Sequence, residues 1–274
     1  LSEIENNYFA NEPLISWGFH HYFHGRLTKY DLDKISSIRP IIVIHRSFHE
    51  FILNTPAMDL LGINKNTFKD IEVDEHLANF DDGHFSERGA IIVLPRLMHL
   101  LAAPAELIQG LQKTKDYLHS NGITLIGNPG AMYNKDLQLA KNSIFGNINS
   151  PFESYFFPSA LNLSEQFELN EVLNAAKEQT SWGEGKLNYL SKHIKLFADG
   201  AMYSQNMVMR DGYLDNHEGS WLMSLGTFEN LFKVFWDDGF QIHIHQNGDA
   251  GLDRLLETLK KNLDRNPRMD HRTK

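Results

Sequence analysis

Read with period two, Phe240 to His245 places Phe240, Ile242 and Ile244 on one face and Gln241, His243 and His245 on the other. That pattern predicts a strand with an apolar back and a polar front carrying two imidazoles. Asn247-Gly248-Asp249 is turn chemistry, and Asp249 is placed to cap a helix whose Leu252, Leu255, Leu256, Leu259 and Leu263 form one apolar stripe. The unit reads strand, short loop, helix. In a parallel α/β fold, ligands and metals are held where such a strand enters its loop, which is where His245 lies.

The same rhythm runs back to residue 104. Pro104 opens a helix with Leu107, Ile108, Leu111 and Leu118 on one side, Asn121-Gly122 ends it, and Ile123 to Gly127 follows as a buried strand. Then come a helix from Asp136 to about Ser143, a strand near Ser154 to Leu161, and a helix near Leu169 to Glu178. His193 to Ala198 is a strand and Thr227 to Trp236 a helix; the helix after Asp249 ends near Asn262. Strands spaced about 30 to 50 residues apart and separated by helices are βα units of a parallel sheet or barrel.

Residues 1 to about 100 lack that alternation. The run Trp17 to Gly25 is aromatic, punctuated by glycine and rich in histidine, and reads as a loop near a site or a packed edge. An aromatic packing loop would show the same pattern. Thr28 caps a helix from Lys29 to Ile35, Ile41 to His45 is a continuous apolar strand, and Ala57 to Leu61 is a short helix ended by Gly62. His45 and His49 lie where a pocket wall is expected, although structural histidines fit equally. Glu87 sits in a turn before the apolar run Ala90 to Leu94.

Composition narrows the partners. Of 274 residues, 42% are hydrophobic and 22% charged, enough for a sizeable core. A net charge of -9 without a basic run argues against nucleic acid and anionic membrane, and no apolar run approaches a membrane span. A small-molecule partner is the expectation. There is no cysteine, which excludes thiolate metal sites and fits a cytoplasmic protein, and it leaves 14 histidines as the metal-ligand pool.

Lys195 shares a strand face with His193 and Phe197, and a lysine inside a parallel strand is costly unless paired, neutralised or modified. Three readings are open: an ion pair with Asp199 or Asp249, a Schiff-base or general-base lysine, and a carbamylated lysine bridging metals. The long polar connection from Asp199 to Ser224 offers Arg210, Asp211, Tyr213 and His217 to a substrate, or is a solvated loop.

At Ile194 to Ala201, together with His243 to Ala250, the sequence resembles the amidohydrolase superfamily. The likeness is to the branch that includes N-substituted formamide deformylases. Leu27-Thr28 with Asp31 to Asp33, Arg39-Pro40, His45 to His49, Asn54 to Ala57, Leu61 to Ile63, Gly83, Glu87 and Asn121 to Thr124 continue the match in order. The resemblance implies a segment of a distorted (β/α)8 barrel carrying strands two to five (residues 104–274), preceded by an α+β insertion (residues 1–103). It implies a divalent metal, usually zinc, with Lys195 matching the strand-four lysine and His245 the strand-five histidine, and hydrolysis of a C-N bond in an amide or formamide-like substrate. His45, His49, Glu87, Asp199, His243 and Asp249 are candidates to touch the substrate or support the ligands. His243-Ile244-His245 has the spelling of the strand-one pair, but its place after Lys195 matches strand five. His271 resembles the approach to strand six, so that ligand, the strand-one pair and the catalytic aspartate are expected outside these residues. A half barrel has unpaired parallel edges, so association with another copy is an expectation too. The competing class is a non-catalytic α/β module with Lys195 in a structural ion pair.

Overall fold

A computed structural model describes residues 1–3, 12–68, 77–101 and 104–274. The chain divides into two compact units, Leu1–Leu100 with Gly200–Asn206, and Leu101–Asp199 with Met207–Lys274.

The first unit is built on a five-stranded mixed sheet. Its strands are β1 (Leu14–Phe19), β2 (Ile41–His45), β3 (Glu50–Leu53), β4 (Ala78–Asn79) and β5 (His84–Ser86), in the order β1-β2-β3-β5-β4. The pair β1 and β2 is parallel and the other pairs are antiparallel. Every residue of β2 and β3 is buried, as the unbroken run Ile41 to Ile44 requires of a central strand. Buried Asn54 ties the sheet to its neighbours: its Oδ1 accepts from Ile41 N and Ala57 N, and its Nδ2 donates to Ser36 O and Arg39 O.

One expectation for this region is corrected. The aromatic run read as a loop is a strand to Phe19, followed by a short helix, α1 (His21–His24). The alternation is hidden because the register with β2 shifts between Trp17 and Phe19, and Gly18 has a φ of 104°. The apolar run Ala90 to Leu94 belongs to a helix, Arg88–Leu101, that buries Gly89, Ala90, Val93 and Leu97. That is a stripe of helical period.

In the second unit all strand pairs are parallel: β6 (Leu125–Ala131), β7 (Glu153–Pro158) and β8 (Leu187–Tyr189) form one sheet, β9 (His193–Phe197) and β10 (Gln241–His245) another. An isolated parallel bridge joins Ser159 to Lys195. These are open sheets, and no closed barrel forms among the described residues. β7 stops at Pro158 instead of running to Leu161, because the Ser159 side chain caps a helix starting at Ala160. Among the helices, Leu225–Asp237 presents Phe228, Leu231, Phe232, Phe235 and Trp236 to the apolar backs of β9 and β10, where Ile194, Leu196 and Ile242 are fully buried. Aromatic residues at helical spacing against branched aliphatic strands fill this core.

The terminal helix Asp249–Arg265 corrects two further readings. Its N-cap residue is Gly248, with Asp249 as the first helical residue. Its buried face is Gly251, Arg254, Thr258 and Asn262, while Leu252 and Leu256 are exposed, so only part of the leucine stripe meets the core. Lys274 lies along β10, accepting from Ile244 N and donating to Ile242 O.

Candidate functional site

In the second unit the parallel register pairs His243 with Lys195 and His245 with Phe197. Laterally paired residues of parallel strands point to the same side, so Lys195, His193, His243 and His245 share one face. Ile194, Leu196 and Ile242 fill the other. The rings of His193 and His243 meet at 2.9 Å between Nδ1 and Nε2, and Phe157 packs 4.5 Å from the His243 ring. Burial, reinforced by the His193 charge, pushes the His243 imidazole down to about 4, so it is neutral at pH 7.

Lys195 has no ion-pair partner among the described residues. Its Nζ sits 5.3 Å from the Phe197 ring centre, and its stem lies 3.4 Å from the position a Cβ on Gly130 would take. Burial without a carboxylate lowers the ammonium to about 8. The two carboxylates that sequence offered as partners are engaged elsewhere. Asp199, fully buried, accepts from Val208 N at 3.0 Å, Asn247 N at 2.9 Å and Gly248 N at 2.7 Å. Asp249 accepts from Arg210 N and Ala250 N, both at 2.9 Å.

Asp199 therefore pins the loop that follows β10. That loop places the Asn247 side-chain amide 2.9 Å from His245 Nε2, a contact that orients the imidazole. Gly248 makes the tight approach possible, because a Cβ there would overlap the Val208 backbone. Gly248→Ala is expected to cost about 1–3 kcal/mol in denaturant unfolding. A change of only about 0.3 kcal/mol or less would mean the loop is not held this closely. Of the polar connection, Arg210 pairs with Asp253 at 2.6 Å, and the Tyr213 ring stacks on His217 at 4.1 Å.

The first unit gathers a second polar cluster. The His49 Nδ1 contacts Glu87 Oε2 at 2.8 Å, and Glu87 Oε1 accepts from Ala201 N at 2.9 Å. Both Phe48 and Glu87 adopt left-handed backbone, with φ of 66° and 46°, the strained conformation that often accompanies a functional turn. Buried Glu50 meets His84 Nε2 at 2.7 Å. Burial raises the Glu50 carboxyl, but the hydrogen bond and charge of His84 outweigh it and hold the group near 2. His45, pushed down to about 4 by burial, has its Nδ1 2.7 Å from Ser47 Oγ. The donor atoms of His20, His21 and His45 lie within 4.8 Å of one another. A cavity of about 420 Å³ opens beside them, walled in part by His21, Glu50, His84 and Ser204.

Thus Lys195, His243, His245, Asp199 and Asp249 belong to one unit, and His45, His49 and Glu87 to the other. Sequence reasoning missed Glu50, His84 and the pairing of His20 and His21 with His45. The available signal was a glutamate opening the apolar run Phe51 to Leu53 and preceded by His45 and His49.

Comparison with known proteins follows the same line. The chain is 23% identical over 248 residues to the exoenzymes regulatory protein AepA of Pectobacterium carotovorum subsp. carotovorum, covering 88% of this chain and 51% of that protein. It is 22% identical over 256 residues to YtcJ of Bacillus subtilis (strain 168), covering 89% and 45%. The chain therefore spans about half the length of the curated relatives it matches. Crystal structures of uncharacterized metal-dependent hydrolases from Pyrococcus horikoshii OT3 and Pyrococcus furiosus share its fold. The first matches with a TM-score of 0.59 at 15% identity over 91% of this chain and 48% of that one; the second with 0.59 at 20% over 95% and 51%. A family model described as the amidohydrolase family matches residues 20–274, and the chain belongs to that family.

Proposed function

We propose that the protein of this chain is a metal-dependent hydrolase of C-N bonds in small amide or formamide-like substrates, with Lys195 and His245 among its metal ligands. The observation that carries the reading is their common face on adjacent parallel strands, with His245 two residues beyond the position paired with Lys195. On this reading β6, β7, β9 and β10 are barrel strands two to five, and residues 1–103 are an insertion.

The donor set fits a divalent ion such as zinc. His245 would bind through Nδ1, with its Nε2 proton directed at the Asn247 side-chain amide 2.9 Å away, as metal-bound histidines direct their other ring N–H at an outer partner. Lys195 has an amine lowered to about 8 and no carboxylate neighbour to keep it charged, which supports carbamylation. The neutral amine adds to carbon dioxide, releases a proton and becomes an anionic oxygen donor. A divalent ion held there supplies a water of lowered pKa and polarises the scissile carbonyl. Around it, His243 offers a neutral imidazole to the same space with His193 against it, and Phe157 keeps it apolar on one side. Asp199 holds the His245 loop in place through the backbone N–H groups of Asn247 and Gly248, and ties it to Val208 through a third. The alternative, a non-catalytic module with Lys195 in an ion pair, is disfavoured because Asp199 and Asp249 are committed to backbone donors.

The test is amine release from N-formyl and N-acyl amines by the natural full-length protein. The expected result is turnover that a chelator abolishes and a divalent ion restores. Turnover indifferent to chelation, or confined to esters, would contradict the reading.

A further inference from the structure

We propose that the first unit binds a divalent transition-metal ion of its own, on His20, His21 and His45, using no residue of the Lys195 and His245 face.

Two buried polar atoms there need an explanation. His45 is 1% exposed and its Nε2 has no hydrogen-bond partner; Glu50 is 5% exposed and its Oε1 has none. Buried groups of this kind are almost always satisfied, and an ion is one of the standard reasons when they are not. The His45 Nδ1 lies 2.7 Å from Ser47 Oγ and 3.8 Å from Glu50 Oε1. The Ser47 N–H also lies 3.2 Å from Nδ1, and the shorter contact to Ser47 Oγ is the one that Nδ1–H donates to when the bare Nε2 turns its lone pair to a metal, as in metal-bound histidines. His84 keeps Glu50 in place at 2.7 Å, so a fixed negative charge stands behind the ligand.

The bare nitrogen has company. His20 and His45 have ring centres 4.8 Å apart, His21 and His45 5.8 Å, and the donor atoms of all three fall within 4.8 Å. Nitrogens sharing one tetrahedral ion lie about 3.4 Å apart, from metal–nitrogen bonds of 2.0–2.1 Å. Closure therefore takes about an ångström. Exposed His21 supplies most of it by turning at the start of α1. His20 gives up a contact: its Nδ1 accepts from Tyr22 N at 3.1 Å, and binding through that atom exchanges this cap for a metal bond. Three imidazoles without thiolate or clustered carboxylate select zinc, cobalt or nickel over calcium or magnesium. A coordination position left over would face the cavity that His21 and Glu50 help to wall.

This inference does not rest on the proposed activity, and titration with Co²⁺ tests it, read by ligand-field absorption and calorimetry. The Co²⁺ of this site, with its visible band, is expected both in the full chain and in its Lys195→Ala variant. His21→Ala, which removes an exposed side chain and leaves the core intact, is expected to weaken that binding at least tenfold, and His20→Ala with His21→Ala to remove it. No Co²⁺ band in the wild type, a band unmoved by His21→Ala, or one lost with Lys195→Ala alone would each overturn the proposal. A second Co²⁺ that disappears with Lys195→Ala would belong to the other unit and leave this one standing.

Discussion

Lys195→Ala is expected to lower kcat/KM for an N-formyl substrate by more than about 100-fold, beyond the ~10–100-fold lost when only an outer partner of a metal ligand is removed. The argument begins in the strand. Lys195 points to the polar face of β9, is half-buried, and finds no carboxylate, so its ammonium is held near 8 instead of 10.5. Between those values the folded chain binds fewer protons at this site than the unfolded chain, so stability rises as pH increases from about 8 to 10.5. The alanine variant should lack that rise. The same lowered value predicts that protein stripped of carbon dioxide regains activity faster as pH approaches 8, where the attacking amine becomes neutral. Activity within a few-fold of wild type, or recovery that slows with rising pH, would remove Lys195 from the site.

Trp236→Ala is expected to cost about 3–5 kcal/mol, the range for emptying an aromatic site in a core. The residue is fully buried, stacks on Phe232 at 5.8 Å, and donates from Nε1 to Asn266 O at 2.8 Å. The Arg268 guanidinium lies 4.6 Å from its ring centre. Truncation therefore opens a cavity and orphans a carbonyl at once. For a domain of this size the melting temperature should fall by roughly 10 °C. A fall of under 2 °C in calorimetry would show that the aromatic stack on β9 and β10 is not the main support of the second unit.

The second unit was largely legible because its strands obey period two and its helices carry period 3.6. The same-face placement of Lys195, His243 and His245 follows from alternation plus parallel pairing, both visible in the residues. What alternation does not show is where a side chain's hydrogen bonds go. Asp199 and Asp249 were offered as partners for Lys195, yet each is consumed by backbone N–H groups of loops distant in sequence. The stripe of the last helix misled for a related reason: Arg254 is buried against Trp221 and Phe228, 4.5 and 5.0 Å from their rings, so a cation took a position that periodicity assigns to leucine. In the first unit, β3, β4 and β5 span only four, two and three residues, too few for a period to register. Their antiparallel register alone brings His84 to Glu50, and the parallel register of β1 with β2 brings His20 beside His45.

Metal content of the natural full-length protein, compared with Lys195→Ala and His245→Ala, tests the central claim most directly. Elemental analysis should find at least one divalent ion per chain in the wild type that both variants lose while keeping their fold by circular dichroism. Equal metal in all three proteins, or none in the wild type, would contradict a metal centre on this face.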